Sequence, residues 1–252
     1  MIDLKYNSVV SFENGLGRVK LNGKWGLIGK EGNPVTEIKY DDIDDFLEGM
    51  AIVYKGEYDD YGYKTGGHYG YIDELGVEVV PCKYDKAKDF SDGLAQVKLN
   101  GKYGYIDTKG NPITPLKYDW ESESFHDGFA AVEVNNKFGF IDKTGKEVIP
   151  CIYQTTDNFN DGLARVKLDD KWGFIDTSGK IVVPLTYDLV MHFSDGVAFV
   201  KMDGKWGLIN TSGDLILGCT YEDMQKFQNG LGKVKVGNTW VYVDNKGTVF
   251  YN

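Results

Sequence analysis

The sequence predicts an all-β fold, a tandem array of about seven three-stranded meanders, and three observations carry that prediction. Tyr6, Tyr40, Tyr84, Tyr118, Tyr153, Tyr187 and Tyr221 follow one another at intervals of 34, 44, 34, 35, 34 and 34 residues, and a Phe comes six or seven residues after each, from Phe12 to Phe227. Glycine keeps the same beat in three phases, Gly15 to Gly230, Gly26 to Gly207 and Gly32 to Gly247, which together hold 20 of the 32 glycines. Thirteen residues beyond the Phe stands a further aromatic, Trp25, Tyr103, Phe138, Trp172, Trp206 or Trp240; in the second repeat the distance is 23, to Tyr69, so that repeat carries a ten-residue insertion. Self-similarity at this period marks a repeat architecture, whose copies bury a continuous core only by stacking. One repeat domain is expected over 1–252, with repeats at about 6–39, 40–83 (insertion near 56–67), 84–117, 118–152, 153–186, 187–220 and 221–252.

The fifth repeat, from Tyr153 to Pro184, shows the elements in order. Gly162 to Leu168 alternates apolar and polar residues, Asp169-Asp170 turns, and Lys171 to Asp176 returns, the pattern of a hairpin with a two-residue loop. The same loop reads Asn22-Gly23, Asn100-Gly101 and Asp203-Gly204 elsewhere, residues suited to two positive φ angles. In this register Val166 faces Gly173, Ala164 faces Ile175, Trp172 lies across from Lys167 and Phe174 across from Arg165, so both faces are half-buried between neighbours. Asp176-Thr177-Ser178-Gly179 makes a second turn, with the Asp side chain placed to accept backbone N–H groups. Ile181-Val182-Val183-Pro184 follows as a third strand, ended by a proline that has no N–H for the ladder. The linking stretch Tyr-Asp-x-x-x-x-Phe has room for a short fourth strand.

The run Lys-Trp-Gly-Phe-Ile-Asp-x-x-Gly-Lys-x-Val-x-Pro, Lys171 to Pro184 with variants at Lys24, Lys102, Lys137 and Lys205, resembles the WG (KWG) repeat of bacterial proteins over practically the whole chain, Tyr6 to Tyr251. The resemblance implies an all-β repeat array with no common enzymatic activity. Departures are Tyr69, Tyr103 and Phe138 in place of Trp, Val241 in place of the last Gly, and Gly29 in place of the first turn Asp. About 34 residues is short for a propeller blade of roughly 40 to 45, and end repeats that depart from the pattern suit the caps of an open array. An open, twisted, solenoid-like stack is therefore expected, with a closed seven-bladed propeller as the alternative. In small-angle scattering the open stack gives a maximum dimension well beyond that of a compact globule.

Composition narrows the partners. With 38 acidic and 28 basic residues the formal charge is -10, a field that repels nucleic-acid phosphates and anionic lipid headgroups. Met1 to Val10 carries no basic segment followed by an apolar one, and no stretch approaches 18 apolar residues, so the cytoplasm is the expected compartment and a membrane is not a partner. Cys82, Cys151 and Cys219 each stand two residues before the Tyr phase, where other repeats place Leu4, Ile38, Leu116 and Leu185, and read as core aliphatics in a reducing compartment. His68, His126 and His192 occupy three different phases, without paired ligand spacing. The row Asp73, Asp107, Asp142, Asp176 and Asp244 is explained by turn chemistry without a metal. No nucleotide-binding, zincin or serine-hydrolase motif is present, and no metal or cofactor is expected.

Function is therefore sought where the period breaks. The largest break is the insertion, Val53 to Tyr71, which brings Tyr54, Tyr58, Asp59, Asp60, Tyr61, Tyr63 and His68 into one Tyr-, Gly- and Asp-rich excursion. Tyr offers large amphipathic contact area at small entropic cost, a composition shared with paratopes; the alternative is a solvated hairpin with no partner. A smaller break is Trp120, beside Glu121 and Glu123, where one extra residue enters. The expected function is a non-enzymatic scaffold presenting an acidic, aromatic surface to a protein partner, in one form an immunity or antitoxin-like protein that sequesters a basic bacterial effector. A glycan or cell-wall binder, which needs its Trp-phase residues exposed in a row, and an enzyme with a site in a ring's channel are the alternatives.

Overall fold

Each repeat turns its chain through two tight hairpins, and the result is seven small antiparallel sheets. The computed structural model describes residues 6–13, 15–122 and 125–250; Leu4, Glu123 and Tyr251 lie outside them. The fifth sheet again shows the plan: Thr155–Thr156, Leu163–Leu168, Lys171–Asp176 and Ile181–Tyr187 pair in that order. Its inner hairpin has the expected register, with Val166 opposite Gly173, Ala164 opposite Ile175, Lys167 opposite Trp172 and Arg165 opposite Phe174. Asp169 and Asp170 sit at φ 48° and 62°, and Asn22-Gly23, Asn100-Gly101 and Asp203-Gly204 have the same two left-handed positions. The link supplies the short fourth strand, and it joins the hairpin that follows. The Tyr at its head belongs to the sheet before, where Tyr187 lies opposite Trp172, Tyr153 opposite Phe138 and Tyr221 opposite Trp206.

The third strand differs from the expectation. Proline does not end it: Glu78–Tyr84, Glu147–Tyr153 and Ile181–Tyr187 run through Pro81, Pro150 and Pro184. The register slips there, Phe174 facing Val183 while Trp172 faces Tyr187, so a bulge of Pro184, Leu185 and Thr186 spans the single residue Gly173. A bulge has no use for the N–H that proline lacks. This explains the glycine after the Trp phase. A Cβ on Gly173 would lie 2.4 Å from the Val183 carbonyl oxygen, and Gly70 and Gly139 are pressed equally close by Val80 and Ile149. In the first and third repeats the third strand is reduced to isolated bridges, and the Thr36 and Thr114 hydroxyls accept the Leu27 and Tyr105 N–H groups at 2.9 Å instead.

The chain forms two compact halves, 1–124 with 143–145 and 125–142 with 146–252. Within each, sheets pack face to face and are buried on both sides. The second sheet sends Ala51, Val53 and Ile72 into a cluster with Leu27 and Tyr40, and Ile52, Tyr71 and Val80 into another with Phe90 and Val97. The periodic Phe joins one sheet to the next: Phe90 meets Tyr71 at 4.9 Å between ring centroids, Phe159 meets Phe140 at 4.6 Å and Phe193 meets Phe174 at 4.6 Å.

The Asp-x-x-Gly turns behave as their chemistry predicts. Asp176 Oδ1 accepts the N–H groups of Ser178 and Lys180 at 2.9 and 3.0 Å, and Asn210 does the same for Ser212 and Asp214 at 3.0 and 2.9 Å. The Ser178 hydroxyl and these backbone groups hold the Asp176 carboxyl below the usual 3.8. Because Asn210 accepts the same pair of N–H groups, Asp176→Asn is expected to lower the thermal midpoint less than Asp176→Ala does. The bonded form is fully populated above the ordinary carboxylate pKa and is lost as pH falls through the depressed folded value. Urea stability is therefore expected to be level near neutrality and to decline below about pH 4.

Candidate functional site: the second-sheet hairpin and the break after the third sheet

The insertion lengthens the inner hairpin of the second sheet, Met50–Tyr58 paired with Lys64–Asp73. Its tip repeats the chemistry of the Asp-x-x-Gly turns: Asp59 Oδ1 accepts the N–H groups of Tyr61 and Tyr63 at 3.0 and 2.8 Å, and Gly62 takes φ 85°. At the base of the extension Gly56 and Gly67 face each other so closely that a Cβ on Gly56 would lie 2.5 Å from the Gly67 Cα. The Gly56 N–H is held by Asp41 Oδ2 at 3.0 Å. Lys64 bonds Asp42 at 2.8 Å and lies over the rings of Tyr54 and Tyr69 at 5.2 and 5.5 Å. Burial opposes the charge on Lys64, but the Asp42 and Asp44 carboxylates outweigh it and raise its pKa.

The candidate residues divide. Tyr61 and Tyr63, at the tip, are 87% and 72% exposed, Tyr58 is partly exposed, and Asp59 and Asp60 are exposed between them. Burial first, then the Asp42 charge, pushes the Tyr58 hydroxyl up to about 12, so it is a neutral donor at physiological pH. Tyr54 is a correction: it is 1% exposed, with its hydroxyl 3.0 and 2.8 Å from the Glu57 and Thr65 carbonyl oxygens, and it packs the base of the hairpin where no partner reaches it. His68 is exposed on the return strand, its Nδ1 3.9 Å from Asp85, and is separate from the tip.

Trp120 lies at the other break, half-buried. Here the link of the fourth repeat is one residue longer, and Asp119 to Ser122 forms no strand. Glu121 turns onto the third sheet and accepts from Lys86 at 3.0 Å and from the Tyr103 hydroxyl at 3.1 Å, with Lys88 at 3.5 Å. The Lys86 ammonium first, then the Tyr103 hydroxyl, holds its carboxyl below the usual range in spite of burial. Beside it opens a cavity of about 180 Å³ lined by Tyr69, Lys86, Lys88, Gln96, Lys98 and Tyr103, with Ala87 and Glu121. Trp120 itself does not line this cavity. Gln96, which does, stands in a slot that varies between repeats, with Ile52, Ala131, Phe199 and Lys233 among its occupants, and that the first and fifth repeats give to Arg18 and Arg165. In those repeats the space is filled. Arg165 pairs with Asp157, donates to the Val190 carbonyl at 2.9 Å and lies 5.5 Å from the Trp172 ring centroid; Arg18 donates to the Ile43 carbonyl at 2.7 Å and meets Asp45 at 2.6 Å.

The three cysteines are free thiols, half-buried, and burial raises the pKa of Cys82 and Cys219. Among the described residues no group of three or more His, Cys, Asp or Glu side chains is placed to hold a metal ion. No helix is long and apolar enough to cross a membrane.

Seven successive small sheets with one residue pattern define a tandem β-repeat protein. The family model of the WG containing repeat matches at 1–25, 25–58, 69–103, 103–138, 138–172, 172–206 and 206–240, and the chain belongs to that family. No curated protein matches it. Among solved structures it is similar to a eukaryotic initiation factor, at 10% identity over 98% of this chain and 87% of that one, with a TM-score of 0.36. It is also similar to Kluyvelomyces marxianus Hsv2, at 11% identity over 94% and 92%, with a TM-score of 0.39.

Proposed function

We propose that the chain is a non-enzymatic protein-binding scaffold whose contact point is the second-sheet hairpin. The observation that carries this is the tip: Tyr61 and Tyr63 stand in solvent on a turn fixed by Asp59 and Gly62. An aromatic anchor held on a rigid turn loses little entropy on binding, and two such anchors flanked by Asp59 and Asp60 suit a partner with an apolar cleft bordered by basic residues. The net charge of -10 steers such a partner toward the chain. Sequestration of a basic bacterial effector in the cytoplasm is the specific form of this reading. The sugar-stacking alternative asks for a row of exposed Trp-phase rings, whereas Tyr103 and Trp206 are buried and Lys20, Lys98 and Lys201 lie over the rings of Trp25, Tyr103 and Trp206.

The test compares three proteins as bait in cell extract: the full chain, one with 56–67 replaced by Asn-Gly, and the double variant Tyr61→Ala, Tyr63→Ala. A basic protein bound by the first and lost from both others supports the reading, provided circular dichroism shows the sheets intact. Equal capture by all three overturns the assignment to the hairpin.

A further inference from the structure

We infer that Lys64 is a latch on the second-sheet hairpin: bound to Asp42, it holds the extension folded back over the link strand Asp42–Leu47, and a lysine or arginine of the partner that takes Asp42 releases it. The inference deepens the scaffold reading, on which the partner's part in it rests; the latch itself is a property of the free chain.

The strand pairing shows what the extension lacks. The flanking strands stop at its base, where Asp42 pairs with Tyr54 on one side and Tyr84 with Tyr69 on the other. Above that level the two arms pair with each other, Lys55 with His68, Glu57 with Thr65 and Tyr58 with Lys64. A two-stranded ribbon of this kind is marginal in water unless it packs on something else. Lys64 stands opposite Tyr58, four residues beyond Tyr54, and its strand is second from that of Asp42 in the sheet. In a straight sheet the two residues would lie more than about 15 Å apart, at about 3.4 Å per residue along a strand and about 4.8 Å between strands, which is more than their side chains bridge. The Lys64 ammonium is nevertheless 2.8 Å from Asp42 Oδ2 and 3.9 Å from Asp44 Oδ1. The extension is therefore bent over the link strand. The bend falls at the register shift between Lys55 and Glu57, where Gly56, Gly66 and Gly67 make a bulge without side chains.

The other contacts of the bend lie beneath Lys64. The Gly56 N–H is on Asp41 Oδ2, the Tyr58 hydroxyl donates to the Asp41 carbonyl at 3.3 Å, and the ammonium covers the rings of Tyr54 and Tyr69. The ion pair is the part a cation from outside can compete for, since the side chains of Lys64, Asp42 and Asp44 are 24%, 30% and 44% exposed. Release uncovers Tyr69 and frees Tyr58, so the partner gains rings beyond the two at the tip. The tip turn, closed by Asp59 and Gly62, keeps its shape in both forms.

The test is hydrogen exchange on the free full chain. Lys64→Met, which keeps the stem over the rings and removes the charge, is expected to raise exchange about fivefold in 55–58 and 64–67 and to leave 50–53 and 70–73 unchanged. Asp42→Asn should act alike, the double variant should go no further than either single one, and Lys64→Arg should restore protection. Nitration of Tyr69 relative to Tyr61 is expected to rise in Lys64→Met. Unchanged exchange in Lys64→Met, additive effects of the two single changes, or a rise shared by 50–53 and 70–73 each overturns the latch. In capture from extract, a basic protein held through the hairpin is expected to be retained several-fold better by Lys64→Met than by Lys83→Met, which loses the same charge from the exposed Lys83 of the neighbouring strand. Equal retention by the two overturns the partner's part in release. Capture by neither variant nor the unaltered chain removes the scaffold reading together with that part, while exchange still decides the latch.

Discussion

Gly173→Ala is expected to be among the most damaging conservative changes in the chain, lowering unfolding free energy by about 2 to 4 kcal/mol. The methyl group would stand 2.4 Å from the Val183 oxygen and 2.7 Å from the Pro184 oxygen, and both are backbone atoms fixed in a bulge. Relief therefore requires the third strand to peel from the hairpin, which also strips the pairing of Trp172 with Tyr187. The readout is a lower urea midpoint with an unchanged m-value. The seventh sheet supplies the control. Its last strand, Val249–Phe250, meets Tyr242 and Val243 and has no described bulge over residue 241, where Val241 is buried at 1%. Val241→Gly is accordingly expected to destabilise, by about 1 to 2 kcal/mol, through lost packing and added backbone freedom. Destabilisation by Gly173→Ala of less than about 0.5 kcal/mol would remove the steric account of the Trp-Gly pair.

Phe159→Ala is expected to cost about 3 to 5 kcal/mol. Phe159 is 3% exposed and packs on Phe140 and Phe129 at ring-centroid distances of 4.6 and 5.1 Å, so it joins the fourth sheet to the link of the fifth. In a repeat protein stability is the sum of repeat terms and nearest-neighbour terms, and this residue belongs to the neighbour term. Its loss should therefore broaden the unfolding transition as well as lower its midpoint, because sheets on either side of the weakened junction begin to unfold separately. Hydrogen exchange in Lys137–Asp142 and Leu163–Leu168 is the measurement: equal loss of protection in both strands with a single sharp transition would argue against an inter-sheet role.

The hairpin register was legible in the sequence because Asn-Gly and Asp-Gly pairs demand left-handed φ at two successive positions. The same reasoning applied one phase earlier would have found the second hairpin. Asp92-Gly93, Asp161-Gly162 and Asp195-Gly196 take φ values of 57° and 77°, 52° and 77°, and 54° and 79°, joining the short link strand to the inner hairpin. The link before them alternates too weakly to distinguish a turn there from the start of a strand. The proline bulge was not legible, since a terminal Pro and a bulge Pro look alike until the facing residue is known to be glycine. At the candidate site, Tyr61 and Tyr63 were found as breaks in the period, but Tyr54, two residues from the expected turn, sits where the regular sheet still continues and is buried. The cavity beside Gln96 was half legible: the extra residue near Trp120 flagged the segment, whereas the slot of Gln96 holds Arg, Ile, Ala, Phe or Lys in other repeats and so raised no expectation.

In four repeats the residue after the periodic Tyr fastens the tip or extension of the inner hairpin of its own sheet. Asn7 accepts the Asn22 N–H at 2.9 Å, Gln154 the Asp170 N–H at 2.8 Å, Glu222 the Gly237 N–H at 3.0 Å, and Asp41 the Gly56 N–H at 3.0 Å although the chain there continues into an excursion. In the second sheet the fastening thus tolerates the excursion that follows Gly56. Each of these four sheets is in this sense a socket with a similar fitting, and the Gly56 to Gly67 segment is a removable cartridge. Transplanted in place of Asn22-Gly23 or Asp169-Asp170, it should fold as it does in the second sheet, so the array offers several addresses at which one binding tip, or several different ones, can be displayed.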